Sequence, residues 1–243
     1  EGTAYELPRV EPCASHFDIA PDGRRIAFAH DPTPRKRADN ALAIAELELA
    51  TRRITPLTHD PRWSYDAPRY SPDGTALACL AANIGRRHTM PNRLALRSGA
   101  GPWRIVGREW DIDVDAPLRW TPDGSAILFA AQERGRRHLW RYDVRAGTLA
   151  PAVRGGWVQG FDLARDGVEE KIVVAIDSAS HPVQVHAVER GSARRLERFN
   201  DTIMASVALG ETREVSFKGA LGDAVQMFIT FPPRFDPRRR HAL

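Results

Sequence analysis

The sequence predicts an all-β protein built from repeated units of four antiparallel strands. Two observations predict it: a Pro-Asp-Gly turn recurs about every 50 residues, and short β-rich segments flank each copy. The turn occurs as APDG at 20–23, SPDG at 71–74 and TPDG at 121–124, with a degenerate copy, ARDG, at 164–167. Proline presets the backbone of a turn, aspartate can bond to its own backbone, and glycine accepts a positive φ. Four copies at a nearly constant spacing therefore indicate a repeated supersecondary unit.

Each unit contains four strand-like segments in the same order. The first segment precedes the turn and ends in a large apolar residue, which is Ile19, Tyr70, Trp120 or Leu163. The second segment is RIAFAH, ALACLA, AILFAA or KIVVAI. The third is ALAIAELEL, RLALRS, LWRYDV or PVQVHAV, and the fourth is RRITPLT, PWRIVG, TLAPAV or ARRLERF. Four antiparallel strands in about 50 residues match one blade of a β-propeller.

Residues 38–53 form the stretch whose composition most favours a helix, because Ala, Glu and Leu have high helix propensity. We interpret this stretch as a strand instead. It occupies the third-strand position of its unit, and IAELEL alternates apolar and polar residues.

The repeats divide the chain into a propeller part, residues 1–199, and a C-terminal part, residues 200–243. The predicted blades are about 10–58, 59–107, 108–153 and 154–199. The C-terminal part reads as a linker and a β-hairpin, with strands REVSFKG and VQMFITF around the turn GALGD. Because propellers close with about four to eight blades, four blades form either a small ring or an arc of a larger one.

These segments resemble the propeller of the prolyl oligopeptidase family, in particular its acylaminoacyl-peptidase-like and dipeptidyl-aminopeptidase-like members. The resemblance rests on the Pro-Asp-Gly blades, ERGRRHLWRYDV at 133–144, RFND at 198–201 and REVSFKGALGDAVQMFITFPPRFDP at 213–237. Propellers of the TolB type share the blade motif. In the peptidase family the C-terminal segment leads into an α/β-hydrolase domain, which carries a His-Gly-Gly-Pro segment and a Gly-x-Ser-x-Gly nucleophile elbow.

The resemblance implies that this chain is the C-terminal, non-catalytic part of a propeller that gates a serine peptidase acting on peptides. No serine of the chain lies in Gly-x-Ser-x-Gly, so we assign no catalytic residue and expect the chain alone to be inactive. The implied partners are the α/β-hydrolase domain of the same parent protein and its peptide substrate. The alternative is a stand-alone, TolB-like binding or scaffold module. An open arc exposes strand edges, so we also expect self-association.

Composition argues against several other classes. The net charge is only +4 and acidic residues are interspersed, which argues against nucleic-acid binding. No apolar run approaches 18 residues, so we expect no membrane span. The chain is 42% hydrophobic and 27% charged, as is typical of soluble domains. This composition is compatible with a location in either the cytoplasm or the periplasm. Cys13 and Cys79 match no metal or redox spacing, and Cys79 in ALACLA is expected to be buried.

The acidic run DIDVD spaces Asp111, Asp113 and Asp115 as in a calcium-binding loop. The loop's later glycine and glutamate are replaced by Ala116 and Pro122. We therefore expect a strand whose Ile112 and Val114 face the core, and we predict no metal and no cofactor.

The tetrapeptide GRRH occurs twice, at 85–88 and 135–138, after the second strand of consecutive blades. Equivalent positions in consecutive blades lie on the same rim of a propeller. The resulting candidates for a partner-facing rim are Arg86, Arg87, Arg136 and Arg137. An acidic partner surface or a charged peptide would suit them, whereas simple solvated turns are the alternative.

Overall fold

The computed structural model of the chain describes residues 16–32, 41–86, 90–166, 169–189 and 192–239. In this part of the chain, 18 strands form sheets of four, four, eight and two strands, and consecutive strands pair mostly as antiparallel meanders. The eight-stranded sheet contains two blades, which are joined by a single parallel bridge between Arg137 and Trp157. The predicted all-β fold with four-stranded propeller blades is confirmed. The limits of the two domains stay a prediction.

The strands group into four blades in chain order. Blade 1 contains β1 (Phe17–Ile19), β2 (Arg25–His30), β3 (Ala43–Glu48) and β4 (Arg53–Pro56). Blade 2 contains β5 (Trp63–Tyr70), β6 (Ala76–Asn83), β7 (Arg93–Ser98) and β8 (Arg104–Val106). Blade 3 contains β9 (Val114–Trp120), β10 (Ala126–Glu133), β11 (Arg136–Asp143) and β12 (Thr148–Val153). Blade 4 contains β13 (Trp157–Asp166), β14 (Glu169–Ser178), β15 (His181–Glu189) and β16 (Ser192–Arg195).

Two local interpretations are confirmed within these blades. The stretch with helix-like composition forms strand β3, in which packing of the alternating apolar side chains overrides the local helix propensity. Cys79 is fully buried in β6, and burial raises the pKa of its thiol well above the ordinary value.

The Pro-Asp-Gly turns of blades 2 and 3 share one hydrogen-bond arrangement. In blade 3, Thr121 Oγ1 donates to Asp123 Oδ1 at 2.6 Å and accepts the Ala126 N–H at 2.9 Å. Ser71 and Asp73 repeat this arrangement in blade 2. The hydrogen bonds donated by these hydroxyl groups lower the pKa of each aspartate to about 2. The buried hydroxyl therefore ties the end of one strand to the start of the next.

The first and fourth turns depart from this arrangement. In blade 1, Ala20 stands in place of the hydroxyl residue, and Asp22 bonds only to the Arg24 N–H and the Arg25 side chain among the described residues. In blade 4, β13 continues through Asp166, which pairs with Glu169. The degenerate copy lacks both the proline that presets a turn and the hydroxyl, so the strand extends through its first three residues.

Apolar side chains fill the spaces between neighbouring blades. The largest cluster joins Leu80 and Leu94 of blade 2 to Leu118 and Phe129 of blade 3, and similar clusters join the other neighbouring blades. Indole N–H groups bridge these interfaces: Trp120 donates to the Arg69 carbonyl at 3.0 Å, and Trp103 donates to the Leu57 carbonyl at 2.8 Å. Each blade thus covers its neighbour's apolar face.

A short helix and a hairpin follow the blades. The predicted linker contains the helix α1 (Asp201–Ser206), which sequence analysis missed because six residues show no apolar periodicity. The hairpin is formed by β17 (Thr212–Lys218) and β18 (Ala224–Thr230), and it is a separate two-stranded sheet. No helix among the described residues is long and apolar enough to cross a membrane.

Candidate functional site

The candidate site is the end of the blades at which the second strand of each blade turns into the third. The hairpin packs against this end, and we call it the hairpin rim: the connections 84–92, 134–135 and 179–180, and the strand ends beside them. The Pro-Asp-Gly turns join first to second strands, so they lie on the opposite rim. The two rims therefore carry different strand connections.

The β10–β11 turn of blade 3 is the contact point for the hairpin. Arg134 and Gly135 both have positive φ, 50° and 64°, as a two-residue type I′ turn requires. The Arg134 carbonyl accepts a hydrogen bond of 2.8 Å from Gln226. A Cβ atom at Gly135 would lie 2.6 Å from the Phe228 ring, so only glycine allows the ring to sit there.

Arg136 adds an ion pair and a cation–π contact between blade 3 and the hairpin. Its guanidinium donates to the Glu214 carboxylate and lies over the Phe228 ring, 5.1 Å from the centroid. The hydrogen bond from Arg136 lowers the pKa of Glu214. Glu214 also accepts a hydrogen bond of 2.8 Å from the Gln226 side chain. One face of the hairpin is therefore fixed to blade 3 by side chains, and within the described part of the chain it has no backbone pairing to a blade strand.

The opposite face of the hairpin is apolar. The register pairs Val215 with Met227 and Phe217 with Val225, so these four side chains point away from the face that carries Glu214. Phe217 is 50% exposed and Met227 is 41% exposed. A two-stranded sheet with an exposed apolar face is typical of a segment that packs against a further structural unit.

Arg137 joins blades 3 and 4 instead of facing solvent. Its Nε donates to Asp115 Oδ2 at 2.8 Å, and its Nη1 donates to the Val158 carbonyl. Only 14% of its side chain is exposed. Because neighbouring residues of a strand point to opposite faces, Arg136 and Arg137 act on different surfaces.

The other two predicted rim arginines belong to blade 2. Arg86 ends the 3-10 helix Ile84–Arg86, and its side chain and Arg87 lie outside the described residues. The two GRRH copies differ in structure, since Gly85 lies in that helix whereas Gly135 lies in a type I′ turn. A role of the four arginines toward an external partner stays a prediction; Arg136 contacts the chain's own hairpin.

A cleft of about 730 Å³ lies between the hairpin and the turns of blades 3 and 4. Its lining includes Arg136, Trp157, Asp177, Ser178 and Phe228. It thus offers a cation, a carboxylate, a hydroxyl and two aromatic rings, which is a mixture suited to holding a peptide or a protein segment.

A buried histidine stands beside this contact. His138 is 5% exposed, its Nδ1 accepts the Gly155 N–H at 3.1 Å, and its Nε2 lies 3.7 Å from Glu133. Burial lowers the pKa of His138, which therefore stays neutral at pH 7. Glu133 in turn binds Arg154 at 3.0 Å.

Residues 112–115 of the run DIDVD pack in the core or form hydrogen bonds with neighbouring segments. Ile112 and Val114 are buried as predicted, Asp113 accepts the Asn92 N–H at 2.7 Å, and Asp115 holds Arg137. Among the described residues, no group of three or more His, Cys, Asp or Glu side chains is arranged to hold a metal ion.

Sequence analysis missed the hairpin residues that contact Arg136 and the β10–β11 turn. Glu214, Gln226 and Phe228 lie in the hairpin, about 80 to 90 residues further along the chain, and no local pattern connects them to blade 3. The one available signal was the alternation in REVSFKG, which separates a polar face from an apolar face.

Solved structures similar to this chain are propellers and proteins that contain them. Acylaminoacyl peptidase from Pyrococcus horikoshii is 19% identical with a TM-score of 0.66, and the match covers 84% of this chain and 30% of that one. The β-propeller domain of the trilobed protease from Pyrococcus furiosus is 19% identical with a TM-score of 0.58, over 75% and 52% of the chains. TolB from Acinetobacter baumannii is 19% identical with a TM-score of 0.56, over 90% and 52%. The fold is a β-propeller.

The propeller resemblance predicted from the sequence is thereby confirmed at the level of the fold. The chain spans about half or less of the length of these three structures. No family model matches the sequence, and no curated protein matches it. Similar propellers occur both in peptidases and in TolB proteins.

Proposed function

We propose that this chain is the non-catalytic propeller portion of a prolyl-oligopeptidase-like serine peptidase, in which it limits access of peptides to an α/β-hydrolase domain. The observation that carries the proposal is the hairpin. It is separate from the blade sheets, it is fixed to the rim through Arg136 and Glu214, and it exposes an apolar face. These are the properties of a segment that leads from one domain into the next.

The proposed role in gating follows from the shape of a propeller. The first strands of blades 1, 2 and 3 contact one another, so they line the inner side of the arc. They carry charged side chains there, among them Asp18, Asp66, Arg69 and Arg119. In the proposed peptidase, a channel lined by these strands would admit short, extended peptides, exclude folded proteins by size and shelter the reaction from side reactions.

A fluorophosphonate probe that labels activated serines tests the proposal. We expect no stoichiometric labelling of the 243-residue chain. A longer protein that also includes whatever the gene encodes after residue 243 is expected to be labelled and to hydrolyse chromogenic peptide amides. Stoichiometric labelling of the 243-residue chain, or a longer protein without a reactive serine, would contradict the proposal.

The second candidate is a TolB-like binding or scaffold module. It is favoured by the similarity to TolB from Acinetobacter baumannii, whose match covers 90% of this chain. In that case the apolar hairpin face would bind a separate protein. A stable, monodisperse monomer of the 243-residue chain in light scattering would favour this candidate, because a closed module needs no neighbour to cover its apolar surfaces.

A further inference from the structure

A second pocket of the hairpin rim lies at the end of blade 2. It has a volume of about 470 Å³. Its lining consists of Arg62, Trp63, Asn83, Met90, Pro91, Arg93 and Arg108. The antiparallel order of β5 to β8 explains this grouping, since it brings the start of β5, the end of β6, the start of β7 and the end of β8 to one end of the sheet.

Two of the three arginines are held in place by contacts of their own. Arg62 forms a bidentate pair with Asp60, through Nε at 3.0 Å and Nη2 at 2.8 Å. Arg93 uses only Nη1, which donates to the carbonyls of Trp110 at 2.7 Å and Ile112 at 2.9 Å. Nη1 of Arg62, and Nε and Nη2 of Arg93, therefore remain as donors.

Arg108 is held by an aromatic ring. Its guanidinium lies over Trp63, 5.9 Å from the ring centroid. No carboxylate of the described residues lies within ion-pair distance of it. The stacking restricts the side chain, so less conformational entropy is lost when a ligand binds its N–H groups.

The pocket lining presents donors and lacks a carboxylate. Besides the three guanidinium groups, Asn83 offers its amide NH₂, because its Oδ1 already accepts the Gly85 N–H at 3.0 Å. Trp63, Met90 and Pro91 supply apolar surface. A lining of this composition suits an oxyanion that is attached to an apolar body.

The neighbouring surface excludes a long polyanion. On the other side of Pro91 lies a cleft lined by Asp111, Asp113 and Asp115. A nucleic acid that reached the arginines would bring its further phosphates against these carboxylates, and like charges at close range repel. A ligand with a single carboxylate avoids this repulsion.

We propose that the pocket formed by Arg62, Arg93 and Arg108 binds a carboxylate group of a peptide. The hydrogen-bond donors of the pocket indicate that the ligand carries a carboxylate. That this ligand is a peptide rests on the proposed function. The ligand's own carboxylate is either the C-terminal group or an acidic side chain.

Calorimetric titration of the 243-residue chain with three blocked peptides tests this proposal. The first is acetyl-Ala-Ala-Phe with a free carboxylate, the second is its amide, and the third is acetyl-Ala-Glu-Phe-amide. We expect the first or third peptide to bind and the neutral amide to bind at least tenfold more weakly. Binding of the first alone assigns the pocket to peptide C-termini, and binding of the third alone assigns it to acidic side chains.

Two variants and a control locate the binding. Arg108→Gln is expected to weaken binding about fivefold, as for the loss of one partly exposed charge contact. Arg108→Lys retains the charge but loses the planar stacking, so we expect an intermediate loss. Arg145→Gln removes an exposed arginine from the β11–β12 turn on the opposite rim and is expected to leave binding unchanged.

Three results would overturn the proposal: an affinity for the neutral amide equal to that for whichever carboxylate peptide binds, no binding of any of the three peptides, or equal effects of Arg108→Gln and Arg145→Gln. Because the titration measures binding by the 243-residue chain and needs no hydrolysis, its outcome is independent of the fluorophosphonate test. If no carboxylate binds, the peptidase proposal is unaffected. If the longer protein has no reactive serine, carboxylate binding in this pocket is unaffected.

Discussion

Replacing Gly135 with alanine should release the hairpin from blade 3. Two effects act at this position. Gly135 has a φ of 64°, which costs an L-residue about 1–2 kcal/mol, and its new Cβ would lie 2.6 Å from Cε2 of Phe228. Ordinary contacts of a Cβ begin at 3.4 Å, so the ring must withdraw by roughly 1 Å.

The second effect acts on the hairpin alone. When the Phe228 ring withdraws, the cation–π contact with Arg136 is weakened, and contacts of this kind contribute about 0.5–1 kcal/mol at exposed sites. The equilibrium constant for opening of the hairpin is then expected to rise about two- to fivefold beyond the effect of the φ angle. The blades keep their interfaces, so their own stability should fall only by the cost of φ.

Native-state hydrogen exchange separates these contributions. The amides of β17 and β18 report opening of the hairpin, and those of β10 and β11 report opening of blade 3. Gly147→Ala is the matched control, because Gly147 has a φ of 69° but its Cβ would meet only the Tyr142 hydroxyl, at 3.9 Å.

A double-mutant cycle with Phe228→Ala completes the test. If the ring is the obstacle, Gly135→Ala should have no additional effect on the hairpin once Phe228 is alanine. Equal exchange rates of the hairpin in Gly135→Ala and Gly147→Ala would refute the reasoning. Additive effects of Gly135→Ala and Phe228→Ala would refute it as well.

Three further predictions concern the turns and the blade surface. Thr121→Ala should destabilise the chain by about 1–2 kcal/mol in denaturant unfolding, because the buried Ala126 N–H loses its acceptor. The pKa of Asp123 is lowered to about 2 from the ordinary 3.8, so its contribution to stability should be present above pH 3.8 and be lost as the pH falls through 2. Phe17 and Ile19 are 57% and 52% exposed, so Phe17→Lys with Ile19→Lys should reduce self-association in light scattering.

Each of these has a matched control. Thr121→Ser retains the hydroxyl and should stay near the wild-type stability; a loss equal to that of Thr121→Ala would contradict the role of the hydroxyl. Asp123→Asn should remove part of the loss of unfolding free energy that occurs below pH 3.8. An unchanged pH profile of stability in this variant would contradict the contribution of Asp123. Ile54→Lys changes an exposed residue of the outer strand β4, and an equal effect on association would show that the inner face is not responsible.

The blades could be predicted because their signals are local. A Pro-Asp-Gly turn and its flanking strands lie within about 20 residues, and the hydroxyl of Ser71 or Thr121 closes each turn from within it. The repeat supplied the remaining information, since it assigned the helix-like stretch at 38–53 to a strand, and β3 forms within it at Ala43–Glu48. Local chemistry and blade packing agree there, which is why the prediction succeeded.

The site was less predictable because its contacts are distant in sequence. Arg136 and Arg137 are adjacent, yet one binds Glu214 and the other binds Asp115. A tetrapeptide repeat indicates equal positions in two blades, but it does not fix the partners. The two GRRH copies differ since two residues join β10 to β11 whereas the corresponding connection of blade 2 spans 84–92.

The two rims of the propeller differ in how closely they follow the repeat. One rim carries the Pro-Asp-Gly turns, whose hydroxyl hydrogen bonds recur in blades 2 and 3 and join strands of the same blade. The other rim departs from the repeat: it has a type I′ turn under the hairpin, a 3-10 helix beside an arginine-lined pocket, and a cleft against the hairpin. Repeated turns suffice to build a scaffold, so departures from the repeat need another cause. The departures on the hairpin rim agree with the proposal that this rim binds a neighbouring domain and its ligands.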